Sequence, residues 1–385
     1  MKVLWILNGC GLEGRGITGA PVRFHEVSRR WAQLGIEQFV MTTPGGDQLL
    51  STLGAHISRN VSRASLFLKQ EPCRAFRFWS YLISAVAWRF KKWPQADVII
   101  TVSDYFCDVV PALALKRRTG AKWIAWTHHR EPGPRHRPGN RLTAALTYAM
   151  QEWSYRRIAA SADACWALGS PGGEESVTRL KDLGLPEARI RRMDNGVDVH
   201  GIAAVPEPAK NVDAVMVGVR PDKGLFDIVP VWTRVQELRP GTTLLLMGGM
   251  SGETEVLEEI RRQGLDKVIT VFRPPSGFVT GRAYWSKLKD ARLLFAPSPR
   301  EGWGIVVGEA MAAGVPVVAY DLPAYQKIYA GAYAAVPCFD QEEFARQIVS
   351  VLNDQKKAED LRTKGFAAAA KYDWDKIAAA DAAAL

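Results

Sequence analysis

The fold class follows from residues 293–319, which read LLFAPSPREGWGIVVGEAMAAGVPVVA. The apolar run at 293–296 has the length of a buried strand, and a turn with two glycines leads from it into an apolar helix that ends at Gly314. A further apolar run at 315–320 has the length of the next strand. This order of strand, helix and strand is typical of a parallel sheet covered by helices, so we predict an α/β fold.

The same rhythm extends through the rest of the chain. Further apolar runs with the length of strands lie at 3–7, 38–43, 97–102, 122–126, 214–219, 243–247 and 268–272. Helical spacing is found at 22–34 and 75–90, and the prolines of 206–208 favour an extended linker. A chain of 385 residues exceeds the size of most single cores. We therefore predict two Rossmann-like, doubly wound domains that face each other, at 1–205 and 206–370.

Basic residues are concentrated in the first half of the chain. Residues 1–205 contain 28 Lys and Arg against 17 Asp and Glu, whereas residues 206–385 contain 22 against 23. This asymmetry favours an anionic partner surface, for which phosphate-bearing lipid headgroups or nucleic acid are the usual candidates. A merely well-solvated protein face is the alternative.

Cysteine usage and hydropathy indicate a cytoplasmic protein. The five cysteines are widely spaced and contain no Cys-x-x-Cys pair, so we predict neither a disulfide framework nor a zinc site. No stretch of the sequence approaches the ~18 apolar residues that a membrane-spanning helix needs. We expect the chain to touch a membrane, if at all, at its cytoplasmic face.

A glycine-rich loop follows the first predicted strand. Residues 9–14 formally match the Gly-x-Gly-x-x-Gly fingerprint of dinucleotide-binding folds. However, residues 42–45 read TTPG and supply no acidic ribose anchor after the second strand, and the loop continues through Gly19. NAD binding is therefore disfavoured. The loop amides can still contact an anion at the helix N-terminus, and a turn that needs glycine only for its geometry is the alternative.

Two glutamates in residues 293–319 have the chemistry of sugar binding. Glu301 lies in the turn and Glu309 in the helix, after the carboxyl end of a strand, where open α/β sheets bind ligands. Carboxylates accept hydrogen bonds from vicinal hydroxyls, so Glu309 can hold a ribose while Glu301 holds a sugar hydroxyl. Gly302 and Gly304 let backbone amides approach the ligand. A pair of surface glutamates without a ligand is the alternative.

These residues resemble the retaining GT-B glycosyltransferases of family 4, whose Glu-x7-Glu motif is matched by Glu301 and Glu309. Other segments similar to family motifs are residues 17–20 (ITGA), 194–198 (DNGVD) and 372–374 (YDW). The resemblance implies two domains facing across a cleft, and a C-terminal helix at 371–385 that returns to the first domain.

The resemblance also implies a nucleotide-sugar donor bound mostly by the second domain and a saccharide or lipid-linked acceptor bound by the first. It implies retention at the anomeric carbon, no cofactor and no metal, and we expect no nucleic-acid partner. Donor contacts are implied at Gly19, Arg220, Lys223, Arg273, Glu301, Gly302, Trp303, Gly304, Ile305 and Glu309. Catalytic roles are implied for Glu301, His128 and Lys223.

The phosphate-binding segment departs from the family pattern. The family has Gly-Arg, a few residues and then Lys-Gly, whereas residues 218–224 read GVRPDKG with the arginine shifted. Lys223 matches directly, and Arg220 matches if the loop absorbs the shift. Both cations can neutralise a departing diphosphate, where negative charge develops in the transition state. A solvated turn lysine is the alternative for Lys223.

Residues 126–131 (WTHHRE) resemble the histidine-bearing loop of the family. One histidine is expected to hydrogen-bond a sugar hydroxyl rather than to remove a proton, because the leaving phosphate would accept the proton of the acceptor. We favour His128 for this role, with His129 as the alternative. Acceptor contacts are implied at His129 and Arg130.

A basic amphipathic helix is predicted at 75–92, with aromatic and aliphatic residues on one face. Its cations suit the headgroups of an anionic membrane, and a helix packed on the first sheet is an equal alternative.

We therefore predict a retaining hexosyltransferase that uses a nucleotide diphosphate sugar. An epimerase or phosphorylase of the same fold is an alternative, as is a non-catalytic protein that binds sugar nucleotides or nucleic acid. The presence of Glu301, Glu309 and Lys223 argues against the non-catalytic class.

Overall fold

Two parallel sheets with interleaved helices form the structure, as the sequence predicts. The computed structural model describes residues 1–9, 19–55, 57–61, 95–131, 133–134, 141–250, 253–272 and 281–385. The contacts divide the chain into two units. The first unit holds the described residues up to Asp194 together with Ala378–Leu385, and the second holds Asn195–Ile377.

The first unit is built on a seven-stranded sheet in the order β3-β2-β1-β4-β5-β6-β7, with parallel pairing throughout. The strands are β1 (Lys2–Leu7), β2 (Glu37–Thr42), β3 (Ser58–Val61), β4 (Val98–Thr101), β5 (Lys122–Thr127), β6 (Ala164–Leu168) and β7 (Ile190–Met193). The described helices are α1 (Gly19–Gln33), α2 (Pro44–Thr52), α3 (Phe106–Thr119), α4 (Arg141–Ser161) and α5 (Pro171–Asp182). The strand order reverses between β1 and β4, which makes their carboxyl ends a topological switch point.

The second unit has a six-stranded parallel sheet in the order β10-β9-β8-β11-β12-β13. Its strands are β8 (Val212–Val219), β9 (Leu244–Met250), β10 (Ile269–Phe272), β11 (Ala291–Ala296), β12 (Val317–Tyr320) and β13 (Ala334–Val336). Its described helices are α6 (Val199–Ala203), α7 (Ile228–Leu238), α8 (Glu253–Arg262), α9 (Gly281–Lys289), α10 (Ile305–Ala312), α11 (Pro323–Ile328), α12 (Gln341–Asn353), α13 (Gln355–Ala369) and the beginning of α14 (Trp374–Ala382). The switch point of this sheet lies between β8 and β11.

Two predicted strands include residues that belong to the end of a neighbouring helix. The strand predicted at 38–43 stops before Thr43, whose hydroxyl caps α2 by accepting a hydrogen bond from the Gly46 amide at 3.2 Å. The strand predicted at 315–320 begins only at Val317, because the Val315 amide donates to the Ala310 carbonyl at the end of α10. Strands β3, β6, β7 and β13 are absent from the predicted set. The helix predicted at 75–92 lies outside the described residues.

The last residues of the chain complete the core of the first unit, as the predicted return of the C-terminal helix requires. Arg23 of α1 is fully buried, with its guanidinium 4.8 Å from the centre of the Trp126 ring. It donates hydrogen bonds to the Asp194 carbonyl and to the Asp381 carboxylate. The indole of Trp31 donates to the Ala378 carbonyl at 2.8 Å. A buried cation of the first unit is thus neutralised by the last helix.

The two segments that resemble family motifs at 194–198 and 372–374 are hydrogen-bonded to each other. The Val197 amide donates to the Tyr372 carbonyl at 2.8 Å, and the Trp374 amide donates to the Val197 carbonyl at 3.1 Å. A Cβ on Gly196 would lie 2.7 Å from both the Trp374 ring and the Tyr372 carbonyl oxygen, so glycine is needed for this approach. Residues from Asn195 onward therefore belong to the second unit, ahead of the predicted linker at 206–208.

Among the described residues, no helix combines the length and apolar character that crossing a membrane requires. The cysteines that the structure describes are free thiols, with Cys107 and Cys165 buried and Cys338 exposed.

We expect Asp381→Ala to lower the free energy of unfolding by about 3–5 kcal/mol, because it leaves the buried Arg23 cation without its carboxylate. Urea denaturation measures this loss. The matched control is Asp360→Ala, which removes an exposed ion pair with Lys364 and should change stability by about 0.5 kcal/mol or less. Equal effects of the two substitutions would contradict the assignment.

Candidate functional site

The loops that follow β8 and β11 meet at the switch point of the second sheet. After β8, Gly224 has φ +85°, and a Cβ at this position would lie 2.2 Å from the Pro297 carbonyl oxygen. Only glycine permits this approach of two backbones. In the same contact region the Lys223 ammonium pairs with the Glu301 carboxylate, and both side chains are mostly buried. The structure therefore brings together two site residues that lie far apart in the sequence.

This ion pair retains the capacity to bind an anion. An ammonium carries three N–H donors, so its bond to Glu301 does not exhaust Lys223. Partial burial of the pair, with exposed fractions of 24% for Lys223 and 12% for Glu301, strengthens its charges relative to a solvated pair. An anionic ligand here can draw Lys223 away from Glu301 and leave the carboxylate to accept a different donor.

Arg220 has a local partner instead. Its guanidinium donates to both carboxylate oxygens of Asp222, at 3.1 Å from Nε and 2.8 Å from Nη2. The structure thus pairs this cation within its own loop. Its predicted contact with a ligand phosphate stays a prediction.

Glu309 lies on α10 and is oriented by two side chains of α9. Its carboxylate accepts hydrogen bonds from the Tyr284 hydroxyl at 3.0 Å and from the Trp285 indole at 3.4 Å. Burial, reinforced by the charge of Glu309, raises the pKa of Tyr284 well above its ordinary value, so the phenol remains a donor. Sequence reasoning missed both donors, because no spacing in the chain relates α9 to Glu309.

The turn between Glu301 and α10 is shaped by packing. Gly304 has φ +84°, and a Cβ there would lie 2.4 Å from the Tyr325 ring. The Trp303 ring is buried edge-on against Tyr372, with the ring centres 5.2 Å apart. Any ligand contact from Trp303 would therefore come from its backbone.

The remaining predicted donor contacts are either backbone contacts or lie outside the described residues. The contacts at Gly302, Gly304 and Ile305 stay predictions of backbone donors at the beginning of α10. Gly19 is the first residue of α1, and Arg273 lies outside the described residues.

In the first unit, His128 follows β5 with one ring nitrogen already engaged. Its Nε2 lies 2.9 Å from the Val102 carbonyl oxygen, which can only accept, so Nε2 carries the proton. Burial lowers the pKa of His128 to about 4, and the ring is neutral near pH 7. In that tautomer Nδ1 is an acceptor, which suits a hydrogen bond from a hydroxyl. The neighbouring His129 is exposed.

Arg130 forms part of an ion-pair network on α4 and α5. It donates to the Tyr148 hydroxyl and the Glu152 carboxylate, each at 2.7 Å, and Arg179 binds the same carboxylate at 2.7 Å. Partial burial alone would raise the pKa of Glu152, but the hydrogen bonds from Arg179 and Arg130 hold it below its ordinary value. An acceptor contact from Arg130 stays a prediction.

The described beginning of the glycine-rich loop is bound by a carboxylate of the chain itself. Asp108 accepts hydrogen bonds from the Asn8 amide at 2.7 Å and the Gly9 amide at 3.1 Å. These are the first amides that an anion at this loop would need. Burial raises the pKa of Asp108 to about 7. The pairing agrees with the sequence argument against a dinucleotide fingerprint.

Comparisons with known proteins identify relatives of both units. Residues 203–367 match the family described as glycosyl transferases group 1, and residues 17–200 match glycosyltransferase family 4. A phosphatidyl-myo-inositol mannosyltransferase of Mycobacterium leprae is 29% identical over 48% of this chain and 50% of its own. A glycogen synthase of Mycobacterium tuberculosis is 26% identical over 71% of this chain. The chain spans between half and 64% of the length of these curated relatives.

Solved structures share the fold over the full chain. A sucrose-phosphate synthase from Thermosynechococcus elongatus superimposes with a TM-score of 0.75 at 17% identity, covering 99% of this chain and 97% of the other. Anabaena HepE in complex with UDP and glucose superimposes with a TM-score of 0.73 at 17% identity, covering 100% and 99%. Both likenesses establish the architecture.

We expect Gly224→Ala to destabilise the protein more than Gly241→Ala. Both glycines have φ near +80°, so both substitutions carry the left-handed penalty of about 1–2 kcal/mol. Only the Cβ at 224 meets a backbone atom, since nothing lies within 4 Å of a Cβ at 241. Denaturant titration of the two variants isolates the contact, and equal losses would show that the two loops do not depend on it.

The stability of Asp108→Asn relative to wild type should rise with pH. The folded protein holds the Asp108 proton up to about pH 7 whereas the unfolded chain releases it near 3.8, so wild type loses stability as pH rises between these values. Asparagine does not ionise and keeps an oxygen for the Asn8 and Gly9 amides. The difference between the two unfolding free energies should grow by about 2 kcal/mol from pH 5 to pH 7. A difference independent of pH would contradict the raised pKa.

Proposed function

Since this chain belongs to the GT-B glycosyltransferases of the group 1, family 4 type, we propose that it transfers a hexose from a nucleotide diphosphate sugar to a saccharide or lipid-linked acceptor. We propose further that the anomeric configuration is retained. The observation that supports this most is the Lys223–Glu301 ion pair at the switch point of the second sheet, followed by Glu309 on the next helix.

Lys223 would stabilise the departing diphosphate. Negative charge gathers on the leaving phosphate as the bond to the sugar breaks, and a cation that has already turned to the phosphate when the donor binds stabilises that charge without further reorganisation. When Lys223 turns to the diphosphate, Glu301 loses its partner and gains the capacity to accept a hydrogen bond from a sugar hydroxyl. The two residues thus exchange an internal contact for contacts with the donor.

Glu309 would hold the ribose of the donor. Tyr284 and Trp285 each donate one hydrogen bond to its carboxylate, and a carboxylate is a good acceptor for vicinal hydroxyls. The two donors also fix the direction in which the carboxylate faces. This preorganisation reduces the ordering cost of binding.

His128 would accept a hydrogen bond from a substrate hydroxyl through Nδ1. Its neutral ring makes it a hydrogen-bond partner rather than a charged acid, in keeping with a reaction in which the leaving phosphate accepts the acceptor's proton. This scheme requires no protein nucleophile, and we propose neither a cofactor nor a metal for it.

Names of related proteins suggest which substrates to try first. HepE has been solved in complex with UDP-glucose, and the mycobacterial relatives include phosphatidyl-myo-inositol mannosyltransferases. UDP-glucose and a nucleotide-linked mannose are therefore the first donors, and a phosphatidylinositol lipid and a free oligosaccharide are the first acceptors. Membrane contact stays a prediction, because the helix at 75–92 that would make it lies outside the described residues. A cytoplasmic location stays a prediction as well.

The deciding experiment incubates the protein with UDP, GDP and ADP sugars, with and without acceptor, and measures the released nucleotide. The anomeric proton of the purified product, observed by NMR, reports retention or inversion. An epimerase would interconvert donor sugars without releasing nucleotide, and a phosphorylase would require phosphate and yield a sugar phosphate. Binding of nucleotide with no turnover in any mixture would favour the non-catalytic alternative.

We expect Glu309→Ala to weaken donor binding by about 1.5–3 kcal/mol, the usual cost of losing hydrogen bonds to a charged group. Isothermal calorimetry with the donor measures the change. Glu255→Ala, which removes an exposed glutamate of the same unit, is the matched control and should leave the affinity unaltered. Equal affinity of the Glu309 variant and wild type would rule out the ribose assignment.

A further inference from the structure

We propose that Gln151 is a positioning residue that fixes the backbone of residues 129–131 for acceptor binding, and that Asp104 sets the direction of the Gln151 amide. The inference rests on the proposed function, since it assigns to the first unit a device that orders the loop carrying His129 and Arg130. Neither Gln151 nor Asp104 belongs to a motif that the sequence displays.

Gln151 holds two backbone groups of the loop at once. Its Nε2 donates to the His129 carbonyl at 3.1 Å, and its Oε1 accepts from the Glu131 amide at 2.8 Å. The side chain is 3% exposed and projects from α4. One amide therefore spans the loop on either side of Arg130.

Asp104 makes this arrangement directional. Its Oδ2 accepts a hydrogen bond from Gln151 Nε2 at 3.2 Å, so the nitrogen end of the amide faces two acceptors while the oxygen end faces an N–H donor. A flipped amide would satisfy none of the three partners. Asp104 also accepts from the Tyr155 hydroxyl at 2.9 Å, and that hydroxyl lies 2.9 Å from Ser176 Oγ. The network joins the loop after β4 to α4 and α5.

A purely structural explanation accounts poorly for this network. Asp104, Gln151, Tyr155 and Ser176 are all buried, and burial raises the pKa of Asp104 to about 7 although the hydrogen bonds from Tyr155 and Gln151 oppose the rise. Apolar side chains would pack such an interior at lower cost. What the polar groups provide is a defined course for residues 129–131. These residues follow the carboxyl end of β5, the edge of a parallel sheet at which ligands bind.

The test compares Gln151→Met and Gln151→Glu with Gln48→Glu, an exposed glutamine on α2 of the same unit. Methionine fills the space without hydrogen bonds, and glutamate keeps the acceptor for Glu131 but loses both donated bonds. We expect each Gln151 variant to raise the acceptor KM, or lower kcat/KM for the acceptor, by 10-fold to 100-fold. Donor affinity and hydrolysis of the donor without acceptor should remain at wild-type levels, and Gln48→Glu should change nothing.

A second measurement follows hydrogen exchange at the Glu131 amide, whose protection should fall in Gln151→Met. A lower Tm with an unchanged acceptor KM, or unaltered protection of Glu131, would overturn the proposal. If the methionine variant does not fold, the isosteric Gln151→Glu supplies the kinetic readout. A wild-type protein that never releases nucleotide would overturn the proposed function, and the Glu131 exchange would then decide separately whether Gln151 holds the loop.

Discussion

The backbone contact between Gly224 and Pro297 is the constraint on which the second unit's site depends. It brings the loop after β8 against the loop after β11, and these strands are neighbours only because the strand order reverses between them. Lys223 and Glu301 flank this contact, so their pairing follows from a requirement for a residue without a side chain at 224. Charge placement in this site is therefore a consequence of sheet topology and of one glycine.

Sequence reasoning succeeded where the signal is local. Apolar runs predicted most strands of both sheets, and Glu301 and Glu309 could be placed on a turn and a helix from their immediate neighbours. It failed at strand ends where a cap or a helix end intervenes, as at Thr43 and Val315. Sequence reasoning also could not identify hydrogen-bond partners that only the tertiary structure brings together.

The donors that orient Glu309 illustrate the second kind of failure. Tyr284 and Trp285 are separated from Glu309 by a strand and a turn, and nothing in their own helix marks them as hydrogen-bond donors to a site. The carboxylate of Asp108 at the Gly9 amide is similar, since a glycine-rich loop looks open to an anion until its tertiary partner is known. Long-range satisfaction of polar groups is set by packing, which a single sequence does not display.

Carboxylates are used differently in the two units. In the first, Asp104 and Asp108 are buried against neutral donors, where they fix loops and are held near neutral charge by their raised pKa values. In the second, Glu301 is paired with the Lys223 cation, and Glu309 accepts hydrogen bonds from Tyr284 and Trp285. In the first unit these acids thus hold parts of the backbone, whereas in the second they lie where we propose that the donor binds.

The completion of the first unit by Ala378–Leu385 has a consequence for biosynthesis. All seven strands of the first sheet are translated before Asp381, which neutralises the Arg23 guanidinium, leaves the ribosome. Until then Arg23 lacks the Asp381 carboxylate, although the Asp194 carbonyl is already available to accept a hydrogen bond from it. The nascent first unit therefore lacks part of its finished core. The described residues of the second unit all lie within Asn195–Ile377, ahead of Asp381. We therefore expect the unit whose synthesis begins first to be the one that is completed last.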